Sequence, residues 1–263
     1  MILRIGLVVA LLCWATTAFA ACSRADNSTV DIYPTADVIP ANTLRFYVYY
    51  PRPMATSEVR LVDDDGTHVD GAFLPTRDAL WSPDHRRLTL VFDPGRVKTG
   101  LNSRDALGQI LEVGRAYSFV VSGSSEDRFG CLLGQDTAYN FTVGPADLSP
   151  PDPGGWRLVE PKVATRAPLN VEIGSPHDHL SLAYRLRVLD VSGNVLPGQI
   201  SLGAEEASWE FTPREPWTDQ SYSLVVADML EDLAGNRPGV PFDWPEGQEP
   251  RPWQNSLVFI PVP

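Results

Sequence analysis

Two stretches of this chain, RAYSFVVSGSSEDRFG at 115–130 and QSYSLVVADMLEDLAG at 220–235, carry one pattern. A tyrosine opens an alternating apolar run, which leaves through a Glu-Asp pair into a glycine turn. The correspondence extends in both directions. LRFYVYYPRPM (44–54) lies over LNVEIGSPHDH (169–179), and VRLVDDDGTHVDG (59–71) over LRVLDVSGNVLPG (186–198). LTLVFDP (88–94) then lies over ASWEFTP (207–213), and YNFTVGP (139–145) over NSLVFIP (255–261). Self-similarity at this period is the signature of one structural unit used twice, so each copy must bury its own apolar face.

Within each copy, apolar residues recur at every second position over short runs, with Gly, Pro and Asp between the runs. That is the pattern of half-buried antiparallel strands. YSFVV and YSLVV hold the aromatic and β-branched residues that strands favour, and only RDALGQILEVG (104–114) hints at a helical turn. About seven short strands in each copy predict a β-sandwich. Tyr117 and Tyr222 open equivalent strands just after a loop, the position at which a tyrosine corner bonds its hydroxyl back to the loop backbone. Trp209, Phe211, Phe92, Phe119 and Leu224 are the expected core anchors. GPADLSPPDPGG (144–155) joins the copies, and its prolines predict a stiff hinge without regular structure.

The proline-Met break in YYPRPM, the strand end FTP, the strand YSLVV and the terminal DLAGN resemble the bacterial Ig-like domains of S-layer and other cell-surface proteins. The second copy matches better, with FTPREPW, YSLVV and EDLAGN in order. The first departs at EDRFGC, where Cys131 stands in place of Asn and Phe129 in place of Ala. The resemblance implies an all-β chain of two tandem immunoglobulin-like antiparallel sandwiches after a signal peptide and short tether. The divisions are a signal peptide at 1–21, a flexible tether at 22–40, a first domain at 41–145, a Pro-rich linker at 146–155 and a second domain at 156–263. Domains of this kind serve as spacers, adhesive modules and accessory domains, and they share no catalytic residues or cofactor.

The N-terminus reads as an export signal: MILR, the apolar run IGLVVALLCWATTAF, then the small residues of Ala18-Phe19-Ala20. FAAC (19–22) also resembles a bacterial lipobox, which makes Cys22 a lipidation site and the product a membrane-anchored envelope lipoprotein. The other reading is plain export to the periplasm or medium. Cys13 leaves with the signal, so the mature chain holds Cys22 and Cys131. An acylated Cys22 leaves Cys131 a lone thiol, whereas a free Cys22 allows a Cys22–Cys131 disulfide.

With 21 basic against 33 acidic groups, the net charge of −12 disfavours nucleic acid as a partner, and the membrane enters only through an anchor at Cys22. The acidic run in VDDDGTHVDG (62–71) lacks the alternating ligands of a calcium loop and reads as a hairpin turn with Gly66 at positive φ. His177 and His179 in PHDH have no further ligand nearby in sequence and read as exposed loop histidines, so no metal site is expected. Recurrence of Glu126/Asp127 as Glu231/Asp232 at the same strand exit argues for a structural corner. In the second copy Asp232 braces that turn, Gly235 reverses the chain and Asn236 takes a left-handed conformation. There is no nucleophile elbow, phosphate-cradling loop or metalloprotease motif, so no catalytic residues are expected.

One loop distinguishes the copies. From Gly95 to Ala116 the first copy spends far more chain than the second does from Arg214 to Ser221. Its Arg96, Lys98, Arg104 and Arg115 make it locally basic, and long loops often carry function. Arg96, Lys98 and Arg104 are the expected partner contacts. The expectation is a non-catalytic envelope protein recognising an envelope protein or cell-wall glycan. An alternative is a carbohydrate-binding accessory protein with Trp81, Trp156, Trp244 or Trp253 as stacking platforms.

Overall fold

The alternating runs form strands, because that conformation turns every second side chain to one face. Residues 22, 29–76, 79–97, 108–243 and 249–263 are described by a computed structural model. The first copy contributes β1 (Asp31–Tyr33), β2 (Val38–Pro40), β3 (Arg45–Tyr49), β4 (Val59–Asp63), β5 (Leu80–Trp81), β6 (Arg87–Val91), β7 (Ala116–Val121) and β8 (Thr137–Gly144). The second contributes β9 (Arg157–Val159), β10 (Leu169–Glu172), β11 (Leu186–Leu189), β12 (Gly198–Leu202), β13 (Ser208–Pro213), β14 (Tyr222–Val226) and β15 (Ser256–Phe259).

Sheet order is β1-β3-β6-β5 facing β2-β8-β7-β4 in the first unit, and β9-β10-β13-β12 facing β11-β14-β15 in the second. Both match the ABED and CFG sheets of an immunoglobulin-like sandwich. In the first unit β2 adds to the second sheet, parallel to β8. A parallel bridge from Lys162 to Val262 stands in the equivalent place in the second unit.

All five expected anchors are buried. Phe46 centres the first core, stacked on Phe119 at 4.8 Å and edge-on to Phe92 at 5.4 Å. In the second core Trp209 stacks on Phe211, and Trp217 meets Tyr222 edge-on at 5.0 Å. Both tyrosine corners form. The Tyr117 hydroxyl accepts from the Glu112 amide at 3.1 Å, and that of Tyr222 from the Thr218 amide at 3.2 Å.

Two stretches expected to lack regular structure are built into the fold. Within 22–40, β1 pairs with β3 and β2 with β8, burying Ile32 and Ile39. Prolines cut these strands so short that their alternation reads as a tether. In the joining segment, the Asp147 carbonyl accepts from Asn42 of the first unit at 2.7 Å and from Asn236 of the second at 3.1 Å. Pro151 and Pro153 are buried. The segment is therefore fastened to both units and is not a free hinge. Part of 104–114 lies outside the described residues; from Gly108 onward it is not helical, and the helical turn falls at Pro94–Val97.

Candidate functional site

The two Glu-Asp corners are the same loop bond for bond. Asp127 Oδ1 accepts from the amides of Phe129 at 2.8 Å and Cys131 at 2.9 Å. Asp232 Oδ1 accepts from those of Ala234 at 2.8 Å and Asn236 at 2.9 Å. Gly130 and Gly235 reverse the chain at φ 80° and 79°. Asn236 keeps a negative φ, contrary to the left-handed expectation. It is buried, donating to Asp232 Oδ2 at 2.9 Å and accepting from the Phe242 amide at 2.9 Å. Each carboxylate is committed to its own turn, as an Asp in this position is.

Their surroundings differ. The first corner faces solvent, with Phe129 79% exposed, and Arg52 Nε lies 2.5 Å from Asp127 Oδ2. The second plugs the neighbouring sandwich: Leu233 packs into the core of the first unit at 5% exposure. Burial, reinforced by the Asp147 carboxylate, pushes the Asp232 carboxyl up to about 7 despite the turn hydrogen bonds that oppose the shift.

Around this plug the two units form a polar seam. PHDH leads into a short helix, His179–Arg185, capped by Asp178, which accepts from the Ser181 amide at 2.8 Å. The alternation of β3 sends Phe46 and Val48 into the core and turns Arg45, Tyr47 and Tyr49 to the outer face, where the helix sits. The Tyr47 hydroxyl donates to Asp178 Oδ2 at 2.8 Å, and Arg45 Nη1 lies 3.5 Å from the same oxygen. Arg45 Nη2 pairs with Glu231 Oε2 at 2.7 Å, while Arg237 Nη2 holds Glu231 Oε1 at 2.8 Å. Burial raises the Asp178 carboxyl above its usual range, opposed chiefly by Arg45.

The histidines are not exposed loop residues. His177 is buried, its Nδ1 3.0 Å from the Ser175 carbonyl, and desolvation holds its imidazole below the ordinary range. His179 stacks on Tyr33 with ring centres 3.6 Å apart, and its Nδ1 lies 3.5 Å from Glu206 Oε1. Glu206 in turn accepts from the Thr35 amide at 2.9 Å. Sequence reading misplaced both because their neighbours are distant in the chain: Tyr33 and Tyr49 of the other copy for His179, Trp156 and Asp232 for His177.

A cleft of about 520 Å³ opens on one side of the helix, lined by Arg45, Tyr47, Arg87, Asp178, Tyr184 and Glu231. A second of about 640 Å³ opens on the other side, lined by Tyr33, Thr35, His179, Tyr184, Ile200 and Glu206. Tyr184 borders both and is 61% exposed.

Of the expected partner contacts, Arg96 lies elsewhere. Arg96 is buried at 8% exposure, with its guanidinium donating to the carbonyls of Gly71 at 3.0 Å and Gly108 at 3.1 Å. It braces its loop. Lys98 and Arg104 lie outside the described residues. Arg115 sits among Asp63, Asp64 and Asp65, so the loop's basic side chain and the acidic turn satisfy each other. Asp63 braces the hairpin by accepting from the Thr67 amide at 2.8 Å, with Gly66 at φ 79°.

Cys22 is bonded to Cys131, the pairing that a free Cys22 allows. Trp156 is buried, Trp81 and Trp253 pack against the cores, and Trp244 lies outside the described residues. The overlooked signal for the seam was in the corner itself. EDRFGC places a charged Arg128 where EDLAGN places Leu233, and a leucine at that position gains by being covered.

No protein-family model matches the chain, and no curated protein matches it in sequence. Among solved structures, the MG0-NIE-MG1 region of Escherichia coli alpha-2-macroglobulin is similar at 12% identity and TM-score 0.27, covering 93% of this chain and 74% of that one. The E. coli chaperone DraB is similar at 13% identity and TM-score 0.26, covering 79% and 94%. The FN1-FN3 domains of chicken CNTN1 follow at 12% identity and TM-score 0.24, covering 90% and 67%. Scores this low carry no weight for function, and the immunoglobulin-like assignment rests on the strand order.

Proposed function

We propose that this protein is an exported, non-catalytic recognition module of the cell envelope, binding an envelope protein or cell-wall glycan across the seam between its sandwiches. One observation carries the reading: the units are clamped by buried polar contacts and the Leu233 plug, and Tyr184 stands exposed where two clefts meet. A preformed groove with an aromatic edge is the usual architecture of a binding surface. The turn-bound acids Asp127 and Asp232 support a non-catalytic role. Export is supported by the apolar N-terminal run and by the Cys22–Cys131 disulfide, since such bonds persist in oxidising compartments.

The test is co-sedimentation of the mature protein with cell-wall sacculi and with envelope membranes. Wild type is expected in one of the two pellets, and Tyr184→Ala should weaken binding about tenfold without changing the melting temperature. Absence of wild type from both pellets, or equal retention of Tyr184→Ala, overturns the proposal.

A further inference from the structure

We infer that the cleft formed by β3, β6 and the helix His179–Arg185 takes an anionic sugar, a glycan segment carrying carboxylates; this rests on the recognition reading above. The first ground is charge. The chain carries −12 overall, yet Arg45, Arg87 and Arg185 converge on this cleft. Both of its carboxylates already have internal partners: Asp178 accepts from Tyr47 and Ser181, and Glu231 is held by Arg45 and Arg237. Among the described residues, Arg87 and Arg185 make no ion pair, and Arg87 lies beside the Tyr49 hydroxyl. A guanidinium is best satisfied by the paired oxygens of a planar carboxylate.

The second ground is shape. Arg45 and Tyr47 share the outer face of β3, and Arg87 lies across from Tyr49 in register. Both strands are interior to their sheet, so an extended peptide finds no open backbone edge to pair with. Tyr184 offers an exposed ring against which the C–H face of a pyranose can pack. The path continues past it to the second cleft, bordered by His179 and Tyr33. That path suits a chain of sugars better than a single small anion.

The experiment is titration calorimetry of the mature chain with tetragalacturonate and a glucuronate-containing tetrasaccharide. Maltotetraose serves as the neutral control, and inorganic phosphate as the competing anion. At least one uronate tetramer is expected to bind and maltotetraose to give no heat. Arg87→Gln and Arg185→Gln should each weaken binding about tenfold, and raising salt should weaken it further. Equal binding of maltotetraose, displacement by equimolar phosphate, or unchanged affinity in the folded Arg87→Gln/Arg185→Gln variant overturns the inference. Failure of both uronates with a protein that still co-sediments through Tyr184 overturns the inference alone and leaves the recognition role standing.

Discussion

The backbone amide of Leu44 donates to the carbonyl of Leu233 at 2.9 Å, joining the first strand pair of one sandwich to the corner of the other. The Leu233 side chain follows its carbonyl into the first core. The units therefore share apolar burial, and their relative placement is part of the fold.

Leu233→Ala should cost about 2–4 kcal/mol, the usual loss for a buried leucine. Scanning calorimetry is expected to show one transition for the wild type and two for the variant, because the plug couples the cores. Phe129→Ala, at the exposed tip of the first corner, should change stability by less than about 0.5 kcal/mol.

Gly130 and Gly235 have the same positive φ but different neighbours. A Cβ on Gly130 meets nothing closer than Glu126 Oε1 at 3.5 Å, whereas one on Gly235 would lie 2.2 Å from Leu44 Cδ1. Gly130→Ala is expected to cost about 1 kcal/mol from backbone strain alone. Gly235→Ala should cost about 1–3 kcal/mol more, because the buried Leu44 side chain must give way. Urea titration of the two variants compares them directly.

Asp232 makes the joint sensitive to pH. Its folded pKa of about 7 exceeds the unfolded carboxylate value, so the folded state holds the proton more tightly. The resulting stabilisation is fully present below about pH 4 and is lost as pH rises through about 7. His177, held neutral by burial, acts in the opposite direction below its ordinary value, so the comparison is between wild type and Asp232→Asn. The advantage of wild type should shrink by about 2–4 kcal/mol between pH 4 and pH 8. An unchanged difference in urea midpoints across that range would remove Asp232 as the titrating group.

Arg96→Ala should behave as a core mutation. Removing the buried guanidinium takes the donor from the Gly71 and Gly108 carbonyls, with an expected loss of about 2–3 kcal/mol. Thermal melts of Arg96→Ala and of Arg115→Ala separate the buried brace from a surface ion pair, and only the first should melt markedly lower.

The Cys22–Cys131 bond spans a separation of 109 residues. Closing a loop of that length contributes about 3–5 kcal/mol, chiefly by restricting the unfolded chain. Cys131→Ser should lower the melting temperature, and a reductant should lower that of wild type to the same value. Mass spectrometry of the secreted protein is expected to find an unmodified Ala21 N-terminus and no free thiol. An acyl-cysteine at Cys22 would overturn this.

Much was legible without coordinates, for reasons local to the chain. Alternation in YSFVV and YSLVV reports which side chains share a face. Asp-to-glycine spacing reports a turn, and Tyr117 and Tyr222 bond to loops only a few residues away. The corners were recognisable as corners because a repeat displays the same local solution twice.

The seam was decided by the tertiary structure. Tyr47 and Asp178 stand 131 residues apart, and nothing in the neighbourhood of either names the other. His177 and His179 are polar loop residues by every local measure, and they are enclosed only because β1, β3 and the second corner close around them. Arg96 passed for a surface contact because its acceptors are backbone carbonyls, which every sequence contains and none advertises. Sequence by itself determined the longer strands, their turns and the use of one sandwich twice. Which copy's corner is buried, and which charges face each other across the joint, depends on how the two units dock, and that is settled by shape and desolvation between residues far apart in the chain.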